Sequence, residues 1–213
     1  MLVKGKQIDY ALYLVTDRHY LGGRDLVAEV LKAVAGGVTV VQLREKNANS
    51  RDFYQLALAL KEALVPRGVP LIINDRLDIA LAADADGLHV GQEDLPVTVV
   101  RPLLGEDKII GLSVSNEEEL REGENTGADY LGVGPVFATP TKDDAAAPLG
   151  IEKLRLLRQK TRLPLVAIGG IDLDNLKAVR DTGMDGVAVV SALMTSPDIQ
   201  AAARRMINLW QNR

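Results

Sequence analysis

A chain of 213 residues, 47% hydrophobic and 25% charged, carries a net charge of −4 and no cysteine. That balance excludes general attraction to nucleic acid or anionic membranes, and it excludes disulfides, thiolate metal ligands and cysteine nucleophiles. The first apolar run stops too early, at Asp17, for a signal peptide, and no later run reaches the roughly 18 apolar residues of a membrane span; a cytoplasmic protein is expected.

Eight β-rich runs then follow in order: "YALYLV" (10–15), "VTVVQL" (38–43), "PLIIN" (70–74), "GLHV" (87–90), "KIIGLSV" (108–114), "YLGVGP" (130–135), "LPLVAIG" (163–169) and "GVAVVS" (186–191). Between them lie stretches with helical apolar spacing, such as Leu26, Val27, Val30, Leu31 and Val34, or Phe53, Leu56, Ala57, Leu60 and Leu64. Four runs share one lead-in, "AGGVTVV", "ADADGLHV", "TGADYLGVG" and "TGMDGVAVV", where a helix closes on Gly or Asp before a strand. Nearly continuous apolar strands alternating with helices predict a parallel sheet covered by helices. Eight such units predict an α/β fold of the (β/α)8 TIM-barrel type, with residues 1–213 as a single domain. An open doubly wound sheet is the alternative, but "YLVTDRHYLGG" after the first strand lacks its Gly-x-Gly-x-x-Gly turn.

In such a barrel the active site lies at the C-terminal strand ends. The first run ends at Asp17. In the second, if Val41 and Leu43 face the helices, Gln42 and Arg44 face the barrel axis, where an arginine needs an anion or carboxylate. An Arg44–Asp75 ion pair is one way to meet that need, and Lys46 alone reads as a solvated loop lysine. The third and fourth runs deliver Asp75 and Asp94 to adjacent strand ends, with Glu93 beside the second. Either aspartate alone suits a helix cap; as a pair near Arg44 and Lys46 they suit Mg²⁺ and a diphosphate. His89 in "GLHV" reads as a satisfied core histidine, and His19 as a loop residue.

Ser113 ends the fifth run. The segment "ATPTKDDAAAPLG" after the sixth carries Thr139, Thr141 and Lys142 on a long connection and reads as a mobile lid or as a surface loop. "IGGI" and "VVSA" close the seventh and eighth runs, where barrels commonly seat a phosphate. "AAARRMINLW" is the predicted last helix, with Trp210 against the barrel wall.

Taken together, "YLVTD", "QLREK", "IND" with "GLHVGQEDL", "GPVFATPTK", "AIGGI" and "GVAVVSA" resemble the motifs of the thiamine-phosphate synthase family, in order and over nearly the whole chain. The resemblance implies a transferase that joins the hydroxymethylpyrimidine group of a pyrimidine diphosphate to hydroxyethylthiazole or carboxythiazole phosphate, releasing diphosphate. By motif, Gln42, Leu43, Arg44, Glu45, Lys46, Asn74, Ser113 and Lys142 would form the pyrimidine diphosphate site. Asp75 and Asp94 would hold Mg²⁺. Thr139, Pro140, Thr141, Gly170, Val190 and Ser191 would hold the thiazole phosphate. Arg44, Lys46, Ser113 and Lys142 would act on the leaving diphosphate, with no general base in evidence. A related thiazole tautomerase and a non-catalytic phosphate-binding barrel are the rival readings. Small-molecule partners are expected, and a homodimer is compatible with a barrel of this size.

Overall fold

Short strands with apolar residues on both faces can be stable only when both faces are covered, and the chain achieves this by closing the sheet on itself. A computed structural model describes residues 8–139 and 147–212. The strands are β1 (Leu12–Val15), β2 (Val40–Leu43), β3 (Leu71–Asn74), β4 (Gly87–Val90), β5 (Ile109–Val114), β6 (Tyr130–Val133), β7 (Leu165–Ile168) and β8 (Gly186–Val189). All neighbours pair in parallel in chain order, and β8 returns to β1 through Tyr13 opposite Ala188. The closed circuit rules out the open doubly wound sheet.

Alternation along each strand sorts side chains into two cores. Leu12, Leu14, Val41, Leu43, Leu71 and Ile73 belong to the outer core under the helices. Tyr10, Tyr13, Val15, Val40, Ile72, Ile109, Tyr130, Val166 and Ala188 fill the barrel interior. The helices α1 (Leu26–Gly36), α2 (Ser50–Leu64), α3 (Leu77–Ala82), α4 (Val97–Leu104), α5 (Glu117–Gly123), α6 (Gly150–Arg158), α7 (Leu176–Arg180), α8 (Ser191–Met194) and α9 (Ile199–Gln211) cover the outside. Asp25, Asn49, Asn116 and Asp198 accept backbone N–H bonds at the starts of α1, α2, α5 and α9, as N-caps should. Trp210 packs against the outer core, as the sequence suggests. Among the described residues no helix is long and apolar enough to cross a membrane.

The recurring lead-in has a second role beyond turning the chain. In each copy a residue at positive φ, namely Gly37, Asp84, Gly127 or Gly183, stands two places before a side-chain acceptor. That acceptor takes an N–H near the start of the preceding strand: Thr39 from Leu12 (3.1 Å), Asp86 from Leu71 (2.9 Å), Asp129 from Ile110 (2.8 Å) and Asp185 from Leu165 (2.8 Å). Four stitches thus close the lower rim of strand pairs 1–2, 3–4, 5–6 and 7–8. Each satisfies an N–H that would otherwise sit unpaired near the sheet end.

Candidate active site

At the opposite rim the strand ends surround a cavity of about 530 Å³ that reaches down to Tyr13 and Tyr130. Its volume lies in the range of small-molecule sites, roughly 300–1,000 Å³. Val15, Val166, Ile168 and Ala188 form an apolar floor, and Arg44, Lys46, Asn74, Asp75, Glu93 and Asp94 ring the mouth.

From β2 the side chains alternate as expected. Gln42, Arg44 and Lys46 line the cavity. Leu43 faces the helices, as the alternation predicts, and its side chain is fully buried in the outer core. Glu45 turns away as well and accepts from Nε of Arg18 at 2.9 Å and from its Nη2 at 2.6 Å. Neither side chain lines the cavity. Arg44 does find a carboxylate, but its partner is Asp17 across the β1 loop, at 3.1 Å, rather than Asp75. Lys46 is no free loop lysine: although half exposed, it donates to Oδ2 of Asp75 at 2.6 Å.

The end of β3 shows why an amide and a carboxylate follow the apolar run. Asn74 donates through Nδ2 to Oδ1 of Asp75 at 2.6 Å, so both oxygens of Asp75 are held. The Asp75 backbone adopts φ 61°, a left-handed conformation unusual for a side-chain-bearing residue, while its N–H is fixed to the His89 carbonyl at 2.8 Å. Neither Asp75 nor Asp94 caps a helix. The capping positions before α3 and α4 are Arg76 and Pro96, both without a side-chain cap bond. Asp94 instead accepts the Gly91 N–H at 2.7 Å, a bond that folds the β4 loop so that the carboxylate faces Asp75. Burial raises the Asp75 carboxyl above its ordinary value; the ammonium of Lys46 opposes that shift and the facing Asp94 carboxylate adds to it. Among the described residues no group of three or more His, Cys, Asp and Glu side chains comes together.

Below the mouth lies a buried polar chain that the sequence reading missed. Gln42 Nε2 donates to the Tyr13 hydroxyl (2.9 Å), which meets the Tyr130 hydroxyl (2.8 Å). Tyr130 meets His89 Nδ1 (2.8 Å), and His89 Nε2 meets Ser113 Oγ (2.9 Å). His89 is therefore satisfied, as expected, but it also lines the cavity and supports Ser113. Burial pushes its imidazole down to about 4 and raises the hydroxyls of Tyr13 and Tyr130, keeping all three neutral near pH 7. A signal was available: Tyr13, Gln42 and His89 occupy inward phases of their strands, and a buried polar tip there needs a partner. Gln92, Ser115 and Glu119 also line the cavity without having been singled out.

Thr139, Gly170, Val190 and Ser191 lie along the opposite wall. Gly169 and Gly170, at φ 103° and 63°, carry a further constraint. A Cβ on Gly170 would stand 2.6 Å from the Ala138 carbonyl oxygen and 2.8 Å from Phe137 Cβ. The pair therefore admits the β6 loop as well as opening a wall of the cavity. Pro140, Thr141 and Lys142, and with them the expected lid, lie outside the described residues.

A family model described as thiamine monophosphate synthase matches residues 12–193. A thiamine-phosphate synthase of Syntrophomonas wolfei is 62% identical over 203 residues, covering 95% of this chain and 97% of that relative. One of Desulfitobacterium hafniense is 54% identical over 205 residues, covering 96% and 99%. The solved structure of thiamine phosphate pyrophosphorylase from Pyrococcus furiosus matches with a TM-score of 0.89 at 39% identity, with 96% of each chain covered. A 3-hexulose-6-phosphate synthase from Salmonella typhimurium, at 20% identity and a TM-score of 0.72 over 94% of this chain and 98% of that one, shares the fold alone. Likeness in sequence, in backbone and in family pattern thus extends over nearly the whole barrel, and this chain belongs to the thiamine monophosphate synthase family.

Proposed function

We propose that the chain is a transferase that joins the hydroxymethylpyrimidine group of a pyrimidine diphosphate to a thiazole phosphate, forming thiamine phosphate and diphosphate. In that reaction the bond from the methylene carbon to the diphosphate oxygen breaks, the diphosphate keeps the electron pair, and the thiazole nitrogen forms the new bond to the carbon. The observation that carries the reading is the mouth of the barrel. There Arg44 and Lys46 stand beside two carboxylates that face each other and cap nothing.

Two facing carboxylates in a partly buried place repel, and a hard divalent cation relieves them. The donors at this rim are carboxylate oxygens, without thiolate, which suits a hard cation, and Asp75 and Asp94 would hold Mg²⁺. Once bound, the ion supplies neutralising charge to the leaving diphosphate. Arg44, aimed by Asp17, and Lys46, aimed by Asp75, present their donors to the same group. Their contribution grows as negative charge collects on the diphosphate, which is the condition for raising kcat. The apolar floor of Val15, Val166, Ile168 and Ala188 keeps water from the electron-poor methylene carbon. Asn74 and Gln42 would contact the pyrimidine diphosphate from the mouth and the interior. Thr139, Gly170, Val190 and Ser191 would receive the thiazole phosphate across the cavity, and Lys142 and Thr141 would join from the connection after β6.

The experiment is diphosphate release by the purified protein, given both substrates with Mg²⁺ or with EDTA. Release that requires both substrates and the metal is expected. Binding of the thiazole phosphate without release under any condition would contradict the reading.

A further inference from the structure

We propose that the buried chain Gln42, Tyr13, Tyr130, His89, Ser113 donates in one direction only and commits the Ser113 hydroxyl to donate its proton into the cavity, which makes His89 a positioning residue for an acceptor-only ligand oxygen. The assignment rests on the reading above for what the ligand is; the direction of the chain needs only that the ligand is an anion, as Arg44 and Lys46 at the mouth indicate.

Counting protons leaves two directions, and the cavity's charge chooses between them. Gln42 Nε2 donates to Tyr13, and a Tyr13 proton handed to Tyr130 sends the Tyr130 proton on to His89 Nδ1. A neutral imidazole that accepts at Nδ1 carries its proton on Nε2, and that proton goes to Ser113 Oγ. The hydroxyl proton of Ser113 is then left for the cavity, which Ser113 lines. Its backbone is fixed too, since the Ser113 carbonyl accepts from Gln92 Nε2 at 2.6 Å. The reverse direction, in which Tyr13 accepts from both Gln42 and Tyr130, would end at Ser113 in bare lone pairs facing a cavity whose mouth carries Arg44 and Lys46 for an anion. An anionic oxygen selects the outward donor.

Two glycines make room for this chain. A Cβ on Gly111 would lie 2.2 Å from Tyr130 Cζ and 2.4 Å from His89 Nδ1, and one on Gly132 would lie 3.1 Å from His89 Cε1. Neither glycine has positive φ, so space and not backbone conformation accounts for both. Polar groups this deeply buried are strongly coupled, and a partner removed at one point leaves the next one unsatisfied.

The test has an arm that needs no substrate. The chain has two histidines, so ¹⁵N-histidine labelling gives two imidazoles, and His89→Gln assigns them. Two-bond ¹H–¹⁵N correlations at neutral pH are expected to show His89 bare at Nδ1 and protonated at Nε2; protonation at Nδ1 would overturn the proposal even if the enzyme turns over. The kinetic arm uses two amides of different reach. The glutamine amide in His89→Gln reaches the Nε2 position and can still donate to Ser113, whereas the asparagine amide in His89→Asn reaches only toward Tyr130. Loss of a bond to a charged oxygen should lower kcat/KM about ten- to a hundredfold in His89→Asn, while His89→Gln recovers most of the activity. Ser113→Ala should fall as far, and adding His89→Asn to it should cost nothing further. Equal losses in the two His89 variants, or an undiminished His89→Asn effect without the Ser113 hydroxyl, would mean that His89 serves packing alone. A wild-type protein without turnover would contradict the proposed function and leave the tautomer measurement to decide the direction of the chain.

Discussion

Asp75 and Asp86 flank the same helix, α3, yet stand at opposite ends of the barrel. At the lower rim Asp86 takes the Leu71 N–H at 2.9 Å in a pattern repeated by Asp129 and Asp185. At the upper rim Asp75 sits in a left-handed conformation, faces Asp94 and is pulled upward by burial and by that neighbour. The same residue type satisfies the backbone at one end and concentrates charge at the other. The lower arrangement contributes to stability, whereas the upper one costs stability and yields a place for cation and anion.

Substitutions can separate the two ends. The largest expected effect is on Asp75→Gly, which removes the carboxylate and relieves the positive φ. Mg²⁺-dependent diphosphate release should fall on the order of a thousandfold, while the urea midpoint stays level or rises by the equivalent of about 1 kcal/mol. A fall in both would mean that Asp75 serves the fold. Next, Gly111→Ala drives a methyl into the Tyr130 and His89 contact and should destabilise the barrel by about 1–3 kcal/mol, with activity reduced even where the protein is fully folded. An unchanged midpoint would show that the interior yields easily.

Asp86→Ala should cost about 1–2 kcal/mol in unfolding free energy by leaving the Leu71 N–H without its acceptor, with kcat unaltered. The smallest effect concerns Asp84, also at the lower rim, where Lys108 and Lys61 bring the carboxyl down to about 2. Because the folded value lies below the unfolded value of about 4, the contribution to stability is present above pH 4 and disappears as pH falls toward 2. The group is largely exposed, so Asp84→Asn should lose less than about 1 kcal/mol at pH 7. Stability curves of wild type and variant should converge at acid pH; a constant gap down to pH 2 would assign the effect to the turn rather than to charge.

Much of this division was legible in the chain itself. The eight runs became eight strands because their composition suits burial on both faces, and boundaries moved by two residues at most at either end. Gln42 and Arg44 point inward because alternation leaves them no other face. Partners across loops were not legible: nothing in "QLREK" says that Arg44 meets Asp17 and Lys46 meets Asp75, since those choices depend on how separate loops lie over the rim. The left-handed backbone at Asp75 was equally hidden, because aspartate tolerates that conformation without announcing it as glycine would. The phases of Tyr13, Gln42 and His89 could have been read, but not which hydroxyl meets which ring nitrogen. The lead-in phrases were recognised as turns, while their stitching role needed the register of neighbouring strands.

The most direct test of the account is the initial rate of diphosphate release by Asp75→Gly and Asp86→Ala, measured side by side with both substrates and Mg²⁺ and normalised to folded protein. The account expects background release from the first and the wild-type rate from the second. Equal rates from the two would contradict it, because the upper and lower aspartates would then not differ in function.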